Sequence, residues 1–406
     1  MNIVFFSHPL FLNHQSMPRY LNMLANGMQR KGHTIEILVP KPLFFKLSGN
    51  NKFLGKWLGY IDQFLIFPVQ FLRRRRSFPE NTLFVITDHA LGPWVPMVRK
   101  LPHIVHCHDF LAQLSAVGKI EQYTTGWSGR LYQRLIRWGY SQAQYFISAS
   151  LKTKHDLHYF INKEVVVSEV VYNTQNRPLI KFKVEEARFQ LSNYIGVNLK
   201  AGYMLHVGGN LWYKNREGVI EIYESWRANS DNRLPLILVG EQPSKCLLEK
   251  KEISKYKADI HFVTGLPDEE VNKAYCGASL LLFPSYAEGF GWPIIEAMEC
   301  GCPVVTTGEA PMNEVGGSAA FYIPRKPLEK SLQDQWASIS AEVISKVLNC
   351  SALEREAHLL NGYQNCMRFS SKVIIDDFES IYLKVVNKGK LNTTTLPIGT
   401  PSSKFI

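Results

Sequence analysis

The sequence predicts an α/β protein of two doubly wound domains, each a parallel sheet with helices on its faces. Three observations predict it. Short apolar runs alternate with segments of helical periodicity along most of the chain, the signature of strands joined by crossover helices. The alternation pauses around residues 174–200 and then restarts, so the chain reads as two similar halves. Finally, 406 residues with 46% apolar content are enough for two sizeable cores.

Taken in order, Ile3–Phe6 is the first strand. Met17, Leu21, Leu24 and Met28 then recur at helical spacing, with Gly32 as the stop signal. Ile35, Ile37 and Val39 begin the next strand. Residues 41–76 break the rhythm with many aromatics and basic residues, ending in Arg73-Arg74-Arg75-Arg76. Strands resume at 83–86, 103–107, 145–148 and 165–171, with a helix over 128–140. After the boundary, strands are expected at 203–207, 236–239, 260–263, 280–283 and 304–306. The division expected is a first domain over 1–175 and a second over 176–370. A last helix over 371–386 returns to the first domain, and a Thr-, Ser- and Pro-rich tail over 387–406 is expected to be disordered.

Composition narrows the function classes. The formal charge of +11 favours anionic partners: nucleotide phosphates, nucleic acid or acidic lipid. No nucleic-acid-binding module accompanies the charge, so nucleic acid is not expected. Seven scattered cysteines give neither a disulfide framework nor a four-ligand zinc spacing. The first residues lack the pattern of a secretory leader, and no run of 18 apolar residues occurs. A cytoplasmic protein is therefore expected. The aromatic and basic stretch 56–76 reads either as a peripheral contact with the inner face of the membrane or as a helix packed on its own sheet, with its arginines solvated.

The stretch from Phe283 to Met298 carries the chemistry. A buried strand ends at Phe283, a loop follows with Glu288-Gly289-Phe290-Gly291, and a helix begins near Trp292 with Pro293 in its first turn. Ligands of open α/β sheets bind at the carboxyl ends of strands, where helix N-termini point. Gly289 and Gly291 let backbone N–H groups come close to a diphosphate. Glu288 and Glu296 supply carboxylates, each able to accept two hydrogen bonds from vicinal hydroxyls of a sugar or ribose. The plain alternative is an acidic helix start favoured by the dipole alone.

A second glycine loop, Gly208-Gly209-Asn210, follows the strand at 203–207 and leads through Lys214 and Arg216 into a helix. Lys214 is a compact charge and Arg216 a planar fork; both suit a diphosphate, and a solvated basic turn is the alternative. His103, His106, His108 and Asp109 cluster at a strand end of the first domain. Their readings are a metal site, packed or solvated structural histidines, or a role in the cleft. Asp88-His89 ends the preceding strand.

With Glu288 and Glu296 in the run E-G-F-G-x-P-x-x-E-A-M, the segment closely resembles the retaining glycosyltransferases of family 4. The resemblance continues through Gly301–Val305 and Asn313–Gly317 and covers roughly residues 1–386. It implies the GT-B fold: two Rossmann-like domains facing across a cleft. It implies transfer of a sugar from a nucleoside-diphosphate sugar to a hydroxyl of a glycan or lipid-linked acceptor, with retention and an α-linkage. No bound metal or other cofactor is implied; the nucleotide-sugar is a co-substrate. By resemblance, Glu288 contacts the donor sugar and Glu296 the ribose, while Gly209, Asn210, Gly289, Phe290 and Gly291 line the donor site. His108 reaches the donor sugar, and Asp109 orients it or the acceptor. Asn210 stands where the family has an arginine, so the phosphate grip falls to Lys214 or Arg216. The loop Asn13–Arg19 lacks the family's glycine pair. Rival readings on the same fold are a sugar-nucleotide epimerase or phosphorylase, and an inactive sugar-nucleotide-binding scaffold.

Overall fold

The computed structural model describes residues 1–12, 16–174 and 179–394. The first half holds β1 (Asn2–Phe6), β2 (Thr34–Leu38), β3 (Thr82–Ile86), β4 (His103–Cys107), β5 (Tyr145–Ser148) and β6 (Val167–Val170). They form one sheet in the order β2-β1-β3-β4-β5-β6, every pair parallel. The second half holds β7 (Met204–Val207), β8 (Leu236–Gly240), β9 (Ile260–Thr264), β10 (Leu280–Phe283), β11 (Val304–Thr307) and β12 (Phe321–Ile323). Their order is β12-β11-β10-β7-β8-β9, again all parallel. The central strands β3, β4 and β10 are buried at every residue, and β7 at all but its last, because both faces of each sheet are covered.

The larger helices are α1 (Ser16–Arg30), α2 (Lys52–Ile61), α3 (Phe67–Arg74), α4 (Trp127–Tyr140), α5 (Leu151–Ile161), α6 (Val184–Ile195), α7 (Arg216–Ala228), α8 (Lys245–Ile253), α9 (Asp268–Gly277), α10 (Trp292–Glu299), α11 (Gln333–Leu348), α12 (Ala352–Cys366) and α13 (Ser371–Thr394). Each sheet is sandwiched by two apolar layers. In the first half one layer is closed by α1 and α13, through Tyr20, Leu24, Ile375, Phe378 and Tyr382. α13 belongs to the far end of the sequence, so the chain crosses between halves twice. The two crossings touch: Thr174 Oγ1 lies 3.1 Å from Ser371 Oγ. Beside them Tyr172 packs its ring against Phe290 and Phe369.

Three expectations change. β12 is an extra strand, three residues long and too short to show a period. α13 runs on to Thr394, so residues 387–394 are helical rather than disordered; its apolar anchors end at Val386, but the backbone continues for two turns. Residues 395–406 of the expected tail lie outside the described residues, as do 13–15 of the loop Asn13–Arg19. The irregular stretch 41–76 is helical: α2 passes through a π-turn at Asp62–Ile66 into α3. Phe67 and Phe71 pack on Phe6 and Phe84 of the sheet. Arg74 pairs with Glu36, and Arg75 donates to the Met97 carbonyl at 3.3 Å, so part of the arginine run is turned back onto the protein. No helix among the described residues is long and apolar enough to cross a membrane.

Candidate active site

The site grows from the order of the second sheet. β7 and β10 are neighbours, yet the chain leaves β7 toward β8 and leaves β10 toward β11. The loops at their carboxyl ends diverge there and open a crevice, the usual ligand position in such sheets. The loop after β7 carries Gly208, Gly209, Asn210 and Lys214; the loop after β10 carries Glu288, Gly289, Phe290 and Gly291. Asn215 joins them. It adopts a left-handed backbone (φ 50°), caps α7 through Gly218 N, and donates from Nδ2 to the Pro284 carbonyl at 2.9 Å.

Across this junction Lys214 Nζ lies 2.8 Å from both Oε1 and Oε2 of Glu288. Both side chains are largely buried. Arg216 goes elsewhere. Its Nη1 donates to Asn210 Oδ1 and to the Glu241 carbonyl at 3.1 Å, while Nε and Nη2 are buried and make no hydrogen bond among the described residues. Burial pushes its pKa down. A cation in the first turn of a helix opposes the helix dipole. A buried guanidinium with two idle donors at that point is suited to an anion. Asn210 is tied down as well, its N–H reaching Glu241 Oε2 at 3.0 Å.

Glu296 lies one turn into α10, buried, and accepts from the Tyr275 hydroxyl at 2.9 Å. Gly291 has φ 107°, which turns the chain into α10. Gly289 is needed for another reason: a Cβ there would meet the His108 carbonyl oxygen at 2.4 Å. The loop after β10 thus closes directly on the carboxyl end of β4. A cavity of about 200 Å³ at this meeting is lined by Asp109 and Lys152 of the first half and by Trp212, Tyr286, Glu288 and Arg325 of the second. Trp212 stacks on Tyr286 at 6.2 Å.

The first sheet has its own divergence, between β1 and β3. There His8 Nε2 lies 2.9 Å from Asp88 Oδ2, and His89 Nδ1 lies 3.1 Å from Oδ1. Burial opposes charge on Asp88, but the two imidazoles outweigh it and hold the carboxyl well below the usual carboxylate range. The pair faces a second cavity of about 360 Å³, walled by Tyr60, Phe64, Trp94 and Tyr132.

Residues 188–335, which include both glycine loops, match the family model "Glycosyl transferases group 1". That stretch of the second half is what resembles the family. Among curated relatives, the O-antigen chain mannosyltransferase B of Escherichia coli is 32% identical over 149 residues, 34% of this chain and 39% of that protein. The O-antigen chain mannosyltransferase RfbU of Salmonella typhimurium is 25% identical over 254 residues, 62% of this chain and 63% of that protein. The matches thus span less than two thirds of either relative. Two solved structures share the fold: HepE of Anabaena, in complex with UDP and glucose (TM-score 0.65, 15% identity, 95% of this chain and 100% of that one), and WaaG, a glycosyltransferase involved in lipopolysaccharide biosynthesis (TM-score 0.64, 15% identity, 96% and 99%). The expected GT-B architecture is the one observed.

The structure brings Lys214 and Glu288 together, with Gly289 next in the chain, and buries Glu296 against the Tyr275 hydroxyl. Of the histidine cluster, His103 donates from Nδ1 to the Leu101 carbonyl (2.8 Å), and His106 sits between the hydroxyls of Tyr20 (2.7 Å) and Tyr382 (3.0 Å). Both are buried, and burial lowers the pKa of each, so they are packed structural histidines. His108 is half-buried at the cleft, with Nε2 donating to the Thr87 carbonyl at 2.8 Å and its ring edge-on to Tyr20. Asp109 caps the short helix Leu111–Ala116 by accepting from Leu111 N. No cluster of three metal-ligating side chains occurs among the described residues.

Sequence reasoning missed three residues. His8 gave no signal, since its partner lies 80 positions away. His206, behind Gly208, donates from Nδ1 to the Leu282 carbonyl, and burial pushes its pKa down to about 3, so it is neutral. Glu314 accepts from Leu151 N (2.7 Å) and Lys152 N (3.0 Å), capping α5 from across the cleft.

Proposed function

We propose that this glycosyltransferase moves a sugar from a nucleoside-diphosphate sugar to a hydroxyl of a glycan or lipid-linked acceptor, with retention and an α-linkage. One observation carries the reading: Lys214 and Glu288 meet at the strand divergence of the second sheet, on glycine loops open to a diphosphate. In this reading the donor enters between the loops and Lys214 turns from Glu288 to the phosphates. Arg216 offers its idle donors to the same charge. Glu288, released, accepts from hydroxyls of the donor sugar, and Glu296 accepts from the ribose. The acceptor hydroxyl comes from the side of His8 and Asp88. Its oxygen bonds to the anomeric carbon on the face the diphosphate leaves. The diphosphate departs with the electron pair of the broken C–O bond, and the hydroxyl proton passes to its phosphate oxygen. Fixed cations and loop N–H groups stabilise the developing charge without reorganising. The reading calls on no metal or further cofactor.

The relatives' names make a mannosyl donor the first to try, and the O-antigen setting of those names suits an acceptor at a membrane. Thermal-shift measurements across a panel of nucleotide-sugars test the proposal, because a ligand of the folded state raises the melting temperature. The expected result is a shift of several degrees with one base-and-sugar pair, lost in Lys214→Ala. No shift with any of them, and no release of nucleoside diphosphate with any acceptor, would sink it.

A further inference from the structure

The first half presents an apolar face with no partner in the fold. On α4, Trp127 is 80% exposed and Trp138 58%, with Leu131 and Leu135 exposed between them. At 3.6 residues per turn these four share one side of the helix. The opposite side is used for folding: Ile136 and Tyr140 are buried in the core. Arg130 and Arg134 flank the apolar stripe. An apolar stripe at helical spacing normally faces a core; this helix has a core face and a second apolar face.

That second face continues onto α2. Tyr60 stacks on Tyr132 of α4 at 5.6 Å, and a ladder of rings runs back from it through Trp57 (5.9 Å) to Phe53 (6.4 Å from Trp57). Phe53, Leu54 and Trp57 are exposed. The joined surface is larger than single scattered apolar residues explain. Its charge has one sign. From Gln122 to His155 the sequence has no Asp or Glu. From Ile37 to Pro79 it has only Asp62, which is buried and accepts from Phe44 N and Phe45 N.

We propose that this composite face of α2 and α4 docks on an anionic bilayer. Tryptophan and leucine flanked by arginine on a helix side is the arrangement that sinks into a headgroup boundary, and lysine and arginine close by are attracted to acidic lipid. A protein partner of matching charge would need acidic groups opposite an aromatic surface. A bilayer supplies both acidic headgroups and an apolar layer. The inference moves the contact away from the arginine run at 73–76, since Arg74 is committed to Glu36 and Arg75 to Met97. It also gives the cavity over His8 and Asp88 a purpose: Tyr60, Phe64 and Tyr132, which wall it, stand in the seam between α2 and α4. An acceptor anchored in the bilayer would enter there.

The full chain is tested by flotation with vesicles of phosphatidylcholine, with or without phosphatidylglycerol. Wild type is expected to float with the anionic vesicles and to be released by salt. W127S/W138S and F53S/W57S are each expected to lower the bound fraction at least fivefold, and R74S/R75S less than twofold. Since the substituted aromatics are exposed, melting temperatures should stay within a few degrees. Wild type remaining with the soluble fraction overturns the proposal, as does a W127S/W138S variant that floats normally. A larger loss from R74S/R75S would move the contact to α3 and overturn it too. A variant that floats normally but changes from dimer to monomer in sedimentation would show that a second copy covers the face. The proposed transfer reaction is read separately, through the donor-induced thermal shift, which needs no bilayer.

Discussion

The two sheets bring their strand divergences to one cleft, and each divergence holds a carboxyl group with a basic partner, but the two pairs differ in kind. In the second half, Lys214 and Glu288 meet on glycine loops. In the first, His8 and Asp88 meet at the floor of an aromatic-walled cavity. The topologies differ in parallel. Counted within its half, the second sheet runs 6-5-4-1-2-3, the usual dinucleotide-binding order read from the other edge. The first runs 2-1-3-4-5-6: among the described residues β2 is the edge strand, and the chain that follows it forms α2 and α3. Both sheets have six strands; the second keeps the standard order around its glycine loops, and the first places its divergence beside side-chain walls.

If the donor-side pair is the chemical one, breaking it should have the largest effect. Lys214→Ala is expected to cost turnover on the order of a hundredfold to a thousandfold, the usual loss for a removed charge-stabilising group, in steady-state assays at saturating acceptor. A loss under about threefold would undo the assignment. The acceptor-side pair should act differently. Asp88→Asn should raise the KM for acceptor more than that for donor and destabilise the fold by about 1–3 kcal/mol. Its pH behaviour sharpens the contrast. A carboxyl depressed in the folded state contributes stability that is whole above its unfolded value and fades as pH falls through the folded one. Wild type should therefore lose stability relative to Asp88→Asn only in acid, below the usual carboxylate range. Chemical denaturation at pH 7 and at pH 3 would show the gap narrowing. The smallest effect is expected between the halves. Glu314→Ala removes the cross-cleft cap of α5 and should cost about 1 kcal/mol, read as a small drop in melting temperature with KM for donor little changed.

Most of the fold was legible because its strands are buried on both faces and so read as unbroken apolar runs. Ile104, Leu281 and Val305 announce themselves in one dimension. Glu288 and Glu296 were legible as a local pattern, eight residues apart on one loop and helix. What escaped was long-range or depended on exposure. His8 and Asp88 are paired by topology. Glu314 acts on an element 163 residues away. The spacing of Trp127, Leu131, Leu135 and Trp138 marks an amphipathic helix, but spacing alone cannot say that the stripe faces outward. The arginine run at 73–76 shows the converse: its charge is visible in sequence, while Glu36, the carboxylate that pairs with Arg74, lies in a distant strand.

The contact between Thr174 and Ser371 sets how the molecule can move. Two covalent passages between the halves, placed side by side, act as a paired hinge pin: the halves can rotate about it, but sliding apart would strain both passages at once. Any opening must therefore be widest at the far rim and least at the pin, and Trp292, whose Nε1 donates to the Thr174 carbonyl, rides almost on the axis. The carboxylates of α10 and its loop lie a short lever arm from the pivot, so a given rotation displaces them less than groups at the far rim and leaves their spacing to the pin nearly fixed.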